Sequence, residues 1–262
     1  MNPLPPAEPG PSAFSDHFSA VAAGYAASRP RYPDALFSWL ASLVPSRRCA
    51  WDAGTGNGQA ATALAGHFDQ VIATDASPEQ IAAAAPHPRV DYRVAAAERC
   101  GLASASADLV TVAQAFHWFD VSAFNAEAAR VLRPDGIVAV WTYALPVLGD
   151  PLLEAELGRL HDSVRSWWPA ERRLVETGYR TLAFPFPELA APHFDMTADW
   201  DLDRFLAYLR TWSAVTRYRD ATGTDPVAPA VEPFTTAWGR AVRTVRWPLS
   251  LRVGRMQRTA RR

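Results

Sequence analysis

The stretch WDAGTGNGQA, residues 51–60, sets glycines at 54, 56 and 58 directly behind an apolar run. Asp52 stands ahead of them, and Gln59 occupies a place where a further glycine could have been expected. Lacking a Cβ, glycine takes positive φ easily and lets a backbone come close to a ligand. A glycine turn between a first strand and the next helix lies at the carboxyl end of a sheet, where open α/β sheets bind their ligands. The dinucleotide fingerprint is G-x-G-x-x-G, its last glycine serving close helix–strand packing. The spacing here is G-x-G-x-G. An acid at the end of the first strand would repel a pyrophosphate seated on the helix N-terminus. The stretch therefore suits a ligand that carries positive charge, and a nicotinamide oxidoreductase is the disfavoured alternative.

Working outward, RCAWDAG, QVIATDAS, VDYRVAAA, ADLVTVAQA and GIVAVWTY are short apolar segments, mostly β-branched or aromatic, with helical stretches at 58–67, 78–85 and 121–132 between them. This alternation predicts an α/β fold, a mostly parallel sheet with helices on both faces. Upstream, RYPDALFSWLASLVP predicts a helix started by Pro33 and Asp34 and ended before Pro45, and FSDHFSAVAAGYAASRP one that Pro30 stops. After residue 145 the alternation ends. DPLLEAELGRLHDSVRSWWPAERRLVETGY and DLDRFLAYLRTWSAVTRYRD predict amphipathic helices, and PHFDMTADW and RTVRWPLSLRVG two strands returning to the sheet edge. The expected organisation is a disordered lead-in at 1–13, a cofactor-binding core at 14–145, and a helical cap with two strands at 146–262.

Composition removes several functions. The 262 residues are 49% hydrophobic, enough for a sizeable core, and the net charge of −1 offers no general field for nucleic acid or a membrane. All 26 basic residues are arginine. Without lysine there is no Schiff base to pyridoxal phosphate and no P-loop. No apolar run reaches roughly 18 residues, and the N-terminus lacks the charged and apolar regions of a signal peptide. Cys49 and Cys100 have no close partners and no Cys/His cluster has ligand spacing, so a reducing, cytoplasmic setting without a metal is expected. The basic tail RMQRTARR reads as a solvated terminus. The expected partner is a small-molecule substrate, with neither nucleic acid nor membrane, for a monomer or homodimer.

WDAGTGNG resembles the first motif of class I S-adenosylmethionine-dependent methyltransferases, an acid followed by G-x-G-x-G. ADLVTVAQAFHWFD is similar to that family's fourth-strand motif, and VLRPDGIVAVWTY to the helix, turn and fifth strand after it. HFSAVAAGYAASRPRYP and AQAFHWF resemble the small-molecule branch that contains trans-aconitate-type methyltransferases. The likeness covers residues 14–143 well, and LRTWSA and WPLSLRVGR more weakly. It implies a Rossmann-like sheet and S-adenosylmethionine as cofactor, whose sulfonium and α-ammonium suit Asp52. The cofactor site implied comprises Asp52, Gly54, Thr55, Gly56 and Gly58, then Asp75 and Ala76, Ala97 and Glu98, and Gln114. Asp75 ends the second strand about 20 residues beyond the glycines, where a carboxylate accepts the ribose hydroxyls. Its competing reading is the N-cap of the next helix, a role Ser77 can also fill. AAAERCGL resembles the adenine-flanking segment; relatives often carry an acid where Ala96 stands, which leaves Glu98 or backbone groups to serve. Tyr25 and Arg29 share one face of the first helix. Arg29 is placed to grip the cofactor's carboxylate, or else that helix only packs on the fold.

Methyl transfer is an in-line displacement with a neutral thioether leaving, so the enzyme chiefly aligns the reactants and excludes water. A base is needed only where the acceptor starts protonated. His117, after the fourth strand, is the candidate catalytic residue, with a pocket wall or a hydrogen-bonded structural histidine without a site role as its alternatives. Phe18, His117, Trp118 and Trp212 are expected to line the substrate pocket. Nucleic-acid amino methyltransferases usually carry an Asn/Asp-Pro-Pro-aromatic stretch where AQAFHWF stands. The expected function is methyl transfer to a small molecule, O-methylation of a carboxylate or hydroxyl preferred. The alternative is a non-catalytic cofactor-binding or partner protein of the same fold.

Overall fold

The chain is described from a computed structural model over residues 30–257. The elements run α1 (Asp34–Ser42), β1 (Cys49–Ala53), α2 (Gln59–Leu64), β2 (Gln70–Asp75), α3 (Pro78–Ala82), β3 (Val90–Val94) and β4 (Ala107–Ala113). A 3-10 turn over Phe116–Trp118 leads to α4 (Val121–Val131) and β5 (Leu132–Tyr143). Then come α5 (Pro151–Ser163), α6 (Arg172–Glu176), β6 (Asp195–Trp200), α7 (Leu202–Arg210), α8 (Ser213–Thr222), α9 (Val231–Trp238) and β7 (Arg243–Arg255).

The described strands form one seven-stranded sheet in the order β3-β2-β1-β4-β5-β7-β6. The β1–β2, β2–β3, β1–β4 and β4–β5 pairs are parallel. β7 runs antiparallel to β5, from Ile137 opposite Arg255 to Tyr143 opposite Leu249. This is the Rossmann-like α/β class read from the sequence, with β6 and β7 at the edge as expected. Strand order reverses between β1 and β4, so the loops after those two strands open a crevice at the switch point. β1, β4 and most of β5 are buried, as continuous apolar runs in a covered parallel sheet must be. Trp51, Val110, Val112, Phe116, Phe124 and Val140 are the centre of the core beneath that crevice.

Three expectations need correction. The helix expected across 150–179 is broken: α5 stops at Val164 (φ −107°, ψ 10°), a 3-10 turn covers Arg165–Trp167, and Trp168 is extended ahead of Pro169. A proline cannot accept continuation of a helix, and it drives the residue before it out of the α region. The helix expected across 201–220 is two, separated at Trp212, which is extended (φ −64°, ψ 135°) and buried. Its ring lies with those of Trp168, Tyr208 and His161, a packing that outweighs helix continuity. β5 begins at Leu132, ahead of the Pro134–Gly136 turn, with a register shift against β4 between Ala107 and Leu109 and Asp135 at φ 66°.

The chain divides into two compact units, and the division interleaves along the sequence. Among the described residues, one unit is formed by 147–170 and 198–246, the other by 30–146, 171–197 and 247–257. Residues 171–197, expected in the cap, belong with the strands that carry the crevice loops. Among the described residues no helix is long and apolar enough to cross a membrane.

Candidate functional site

The crevice loops follow β1, β2 and β4, all in the larger unit. After β1 the chain turns through Gly54 (φ 65°), Gly56 (φ 54°) and Gly58 (φ 84°), a run that residues with a Cβ rarely adopt. A Cβ on Gly54 would lie 2.7 Å from Ala115 Cβ and 2.9 Å from Phe119 Cζ, so this turn is pressed onto the segment after β4. At Gly56 a Cβ would meet, among the described residues, only Gln80 Oε1, at 3.7 Å, so those residues leave the loop's surface clear there. Gln59, in place of a further glycine, donates Nε2 to the carbonyl of Pro30 at 3.2 Å and ties α2 to the chain entering α1.

Asp75 closes the loop from the side. Its Oδ2 accepts from Gly56 N at 2.8 Å and its Oδ1 from Ser77 N at 2.9 Å. The cap of α3 is Ser77, whose Oγ accepts from Gln80 N at 3.1 Å. Of the two readings of Asp75, helix cap and ligand-facing acid, the structure removes the cap. Ala76 beside it is exposed.

Asp52 is a correction. Expected to face a cationic ligand, it is buried and turned inward: Thr55 Oγ1 donates to Oδ2 at 2.6 Å and Thr111 Oγ1 to Oδ1 at 2.7 Å. Burial raises its pKa to about 6, against the smaller opposing pull of the two hydroxyls. Thr55 N also donates to Thr74 O at 2.9 Å, which locks the loop to β2. Asp52 and Thr55 thus brace the glycine turn from below.

Three more expected cofactor contacts are held by the protein itself. Ala97 is buried in the core. Glu98 Oε1 accepts from Asp120 N at 2.9 Å, joining the segment after β3 to the start of α4. Gln114 takes φ 59° and turns its amide back onto β5: Nε2 donates to Tyr143 O at 3.1 Å, and Oε1 accepts from Tyr143 N at 3.2 Å and from the hydroxyl of Thr142. A non-glycine residue in the left-handed region is strained, and here both ends of its side chain hold it.

His117 lies in the 3-10 turn after β4. Its Nδ1 is 2.8 Å from the hydroxyl of Tyr179, and its ring lies 4.6 Å from that of Trp118. Burial, and then the charge of Arg172, push its pKa down to about 4. Trp118 is 36% exposed, the open wall of this turn. Phe119 faces inward onto Phe116 and Phe124. Trp212, expected in the same pocket, is buried in the packing of the other unit. Phe18, Tyr25 and Arg29 lie outside the described residues.

Sequence reasoning missed Tyr179, Thr111 and Thr142. Threonines inside apolar strands were a readable signal, since a buried hydroxyl must find a partner. Tyr179 carried none: 62 residues separate it from His117.

Residues 51–140 match the methyltransferase domain family. A protein of Dictyostelium discoideum described as a methyltransferase is 32% identical over 234 residues, which are 88% of this chain and 89% of that one. A solved structure from Anaeromyxobacter dehalogenans, described as a type II methyltransferase, is 48% identical and superposes with a TM-score of 0.83 over 87% of this chain and 98% of its own. A second structure, described as a methyltransferase of Bacillus halodurans, shares the fold at 20% identity, with a TM-score of 0.50 over 86% of this chain and 99% of its own.

Proposed function

The chain belongs to the methyltransferase family, and we propose that it transfers the methyl group of S-adenosylmethionine to an oxygen of a small molecule, a carboxylate or a hydroxyl. The observation that carries the cofactor assignment is the joint between the glycine loop and Asp75. An acid that takes the Gly56 amide would repel a phosphate there, whereas it suits the hydroxyls of a nucleoside sugar. A carboxylate oxygen accepts more than one hydrogen bond, so ribose hydroxyls can join the two amides already on Asp75. The clear surface at Gly56 leaves room for the ligand's approach.

Bound in this crevice, S-adenosylmethionine supplies an electrophilic methyl group on a sulfonium. The chain's own residues do the rest. The loop over 54–58 and Asp75 hold and orient the nucleoside, with Asp52 and Thr55 keeping the loop in shape. His117 and the partly exposed Trp118, on the neighbouring turn, line the acceptor's side, and an aromatic face there favours a cation. Holding acceptor and methyl in line converts a bimolecular step to an effectively unimolecular one. The AQAFHWF stretch supports a place in the trans-aconitate-type branch, and the free thiols of Cys49 and Cys100 support a reducing, cytoplasmic setting.

Titration calorimetry with S-adenosylmethionine, its demethylated product and NAD tests the reading. The first two are expected to bind and to raise the melting temperature, since a ligand specific for the folded state stabilises it by mass action. Binding of NAD alone would remove the methyltransferase mechanism described here.

A further inference from the structure

We propose that Tyr179 is a positioning residue for the reaction: its buried phenol donates to Nδ1 of His117, holding the imidazole in the Nε2–H form so that it presents a donor, not a base, beside the glycine loop. Nothing in the spacing of the motifs points to this residue; the fold brings it there. Tyr179 follows α6 in a turn where Gly178 (φ 61°) and Tyr179 itself (φ 62°) are both left-handed. That conformation is costly for a tyrosine and persists only where its surroundings impose it. Here Tyr179 N donates to Leu174 O at 2.9 Å. Arg252 of β7 donates to the carbonyls of Tyr179 and Leu182, each at 2.8 Å, and pairs with Glu188 at 2.7 Å. A Cβ on Gly178 would lie 2.7 Å from Ser250 Cβ, so the turn is also seated tightly on β7. The ring that results is fully buried and edge-on to Phe116 at 5.6 Å.

The direction of the proton follows from the phenolic oxygen's surroundings. Burial pushes the pKa of the Tyr179 phenol up, so the oxygen keeps its hydrogen. A buried hydroxyl must give its hydrogen to a partner, and among the described residues His117 Nδ1, at 2.8 Å, is the acceptor in hydrogen-bond geometry. Thr142 gives its own hydrogen to Gln114 Oε1, whose identity is fixed by the Tyr143 amide. Burial and the positive charge of Arg172 from α6 keep the imidazole neutral, so its nitrogens divide one hydrogen between them. With Nδ1 accepting, that hydrogen is on Nε2. The opposite wiring, in which the phenol gives its hydrogen to Thr142 and Nδ1–H donates to the phenol, would leave Nε2 bare and make His117 a base.

Nitrogen-15 spectra of histidine-labelled protein separate the two, with His117→Gln assigning the signals. In the parent, Nδ1 is expected at the position of an unprotonated acceptor and Nε2 at that of a protonated nitrogen, unchanged from about pH 5.5 to 8. In Tyr179→Phe both signals should move toward the tautomer average, while the circular dichroism spectrum stays native. A protonated Nδ1, or averaged tautomers, in the parent overturns the proposal even if the variant does not fold. An unchanged pattern in a folded Tyr179→Phe overturns the role of Tyr179. The meaning of a donor for methyl transfer rests on the function proposed above. The tautomer does not, and it is read without turnover, so the two readings fail separately.

Discussion

Asp52 is an acid placed inside the protein between two threonine hydroxyls, and the placement has a measurable cost. Its pKa rises from 3.8 to about 6 on folding. Between those values the native protein keeps a proton that the unfolded chain has released, so this group lowers stability as pH rises through the window, by about 3 kcal/mol in full. Asp52→Asn keeps the shape and removes the titration. Its unfolding free energy relative to the parent is expected to grow by about that amount between roughly pH 4 and 7. A flat difference in denaturant titrations across that range would refute burial as the cause. Asp75 is the opposite kind of acid, half-buried and directed at the loop. Asp75→Ala should weaken binding of the demethylated cofactor at least about tenfold, through lost hydrogen bonds to a charged group. Calorimetry that finds the affinity unchanged would reduce Asp75 to a brace for Gly56 and Ser77. The place of Asp75 at a strand end was legible because strand and loop lengths fix it. The inward turn of Asp52 was not, because Thr111, one of its two partners, is 59 residues away on another strand.

At the scale of elements, the glycine loop separates two demands that the sequence shows as one. Gly54 is needed for space and conformation together, since an added Cβ would collide with Ala115 and Phe119. Gly54→Ala is expected to cost about 2–4 kcal/mol of stability, the sum of overpacking and a left-handed alanine. At Gly56 an added Cβ would make only an ordinary contact with Gln80 among the described residues, so Gly56→Val carries chiefly backbone strain and should still fold while losing cofactor binding. Thermal denaturation and calorimetry on the two variants check the contrast; equal loss of stability in both would show that the loop's surface is not clear at Gly56. Strands β1, β2, β4 and β5 were legible because each is a largely apolar, buried run between turn residues, and β3, which has no buried residue, by its β-branched and aromatic side chains. The helices beyond β5 were legible only as amphipathic character. Their breaks at Trp168 and Trp212 depend on where large rings find company, which periodicity does not record.

The whole molecule is built from a chain that leaves one compact unit and comes back to it twice. The larger unit takes Val175, Tyr179 and Phe186 into the same core as β1 and β4, and takes its antiparallel strand β7 from near residue 250. A fragment cut after Pro146 should therefore not behave as a free-standing domain. It would lack those side chains and bare the pairing groups of β5, an unprotected edge of the kind that drives association. Poor dispersion in its amide spectrum and concentration-dependent aggregation are the expected results. A monomeric, well-dispersed fragment would show that the strands alone suffice. The same return of the chain sets a clock on biosynthesis. Trp141 pairs with Leu251, 110 positions later. At about 5–20 residues per second, a ribosome that has finished β5 needs roughly 5–20 s to deliver its partner strand. For that interval a buried-type strand stands open on one side, so slowing elongation or holding the nascent chain by a chaperone should change the yield of this protein more than any substitution on its surface.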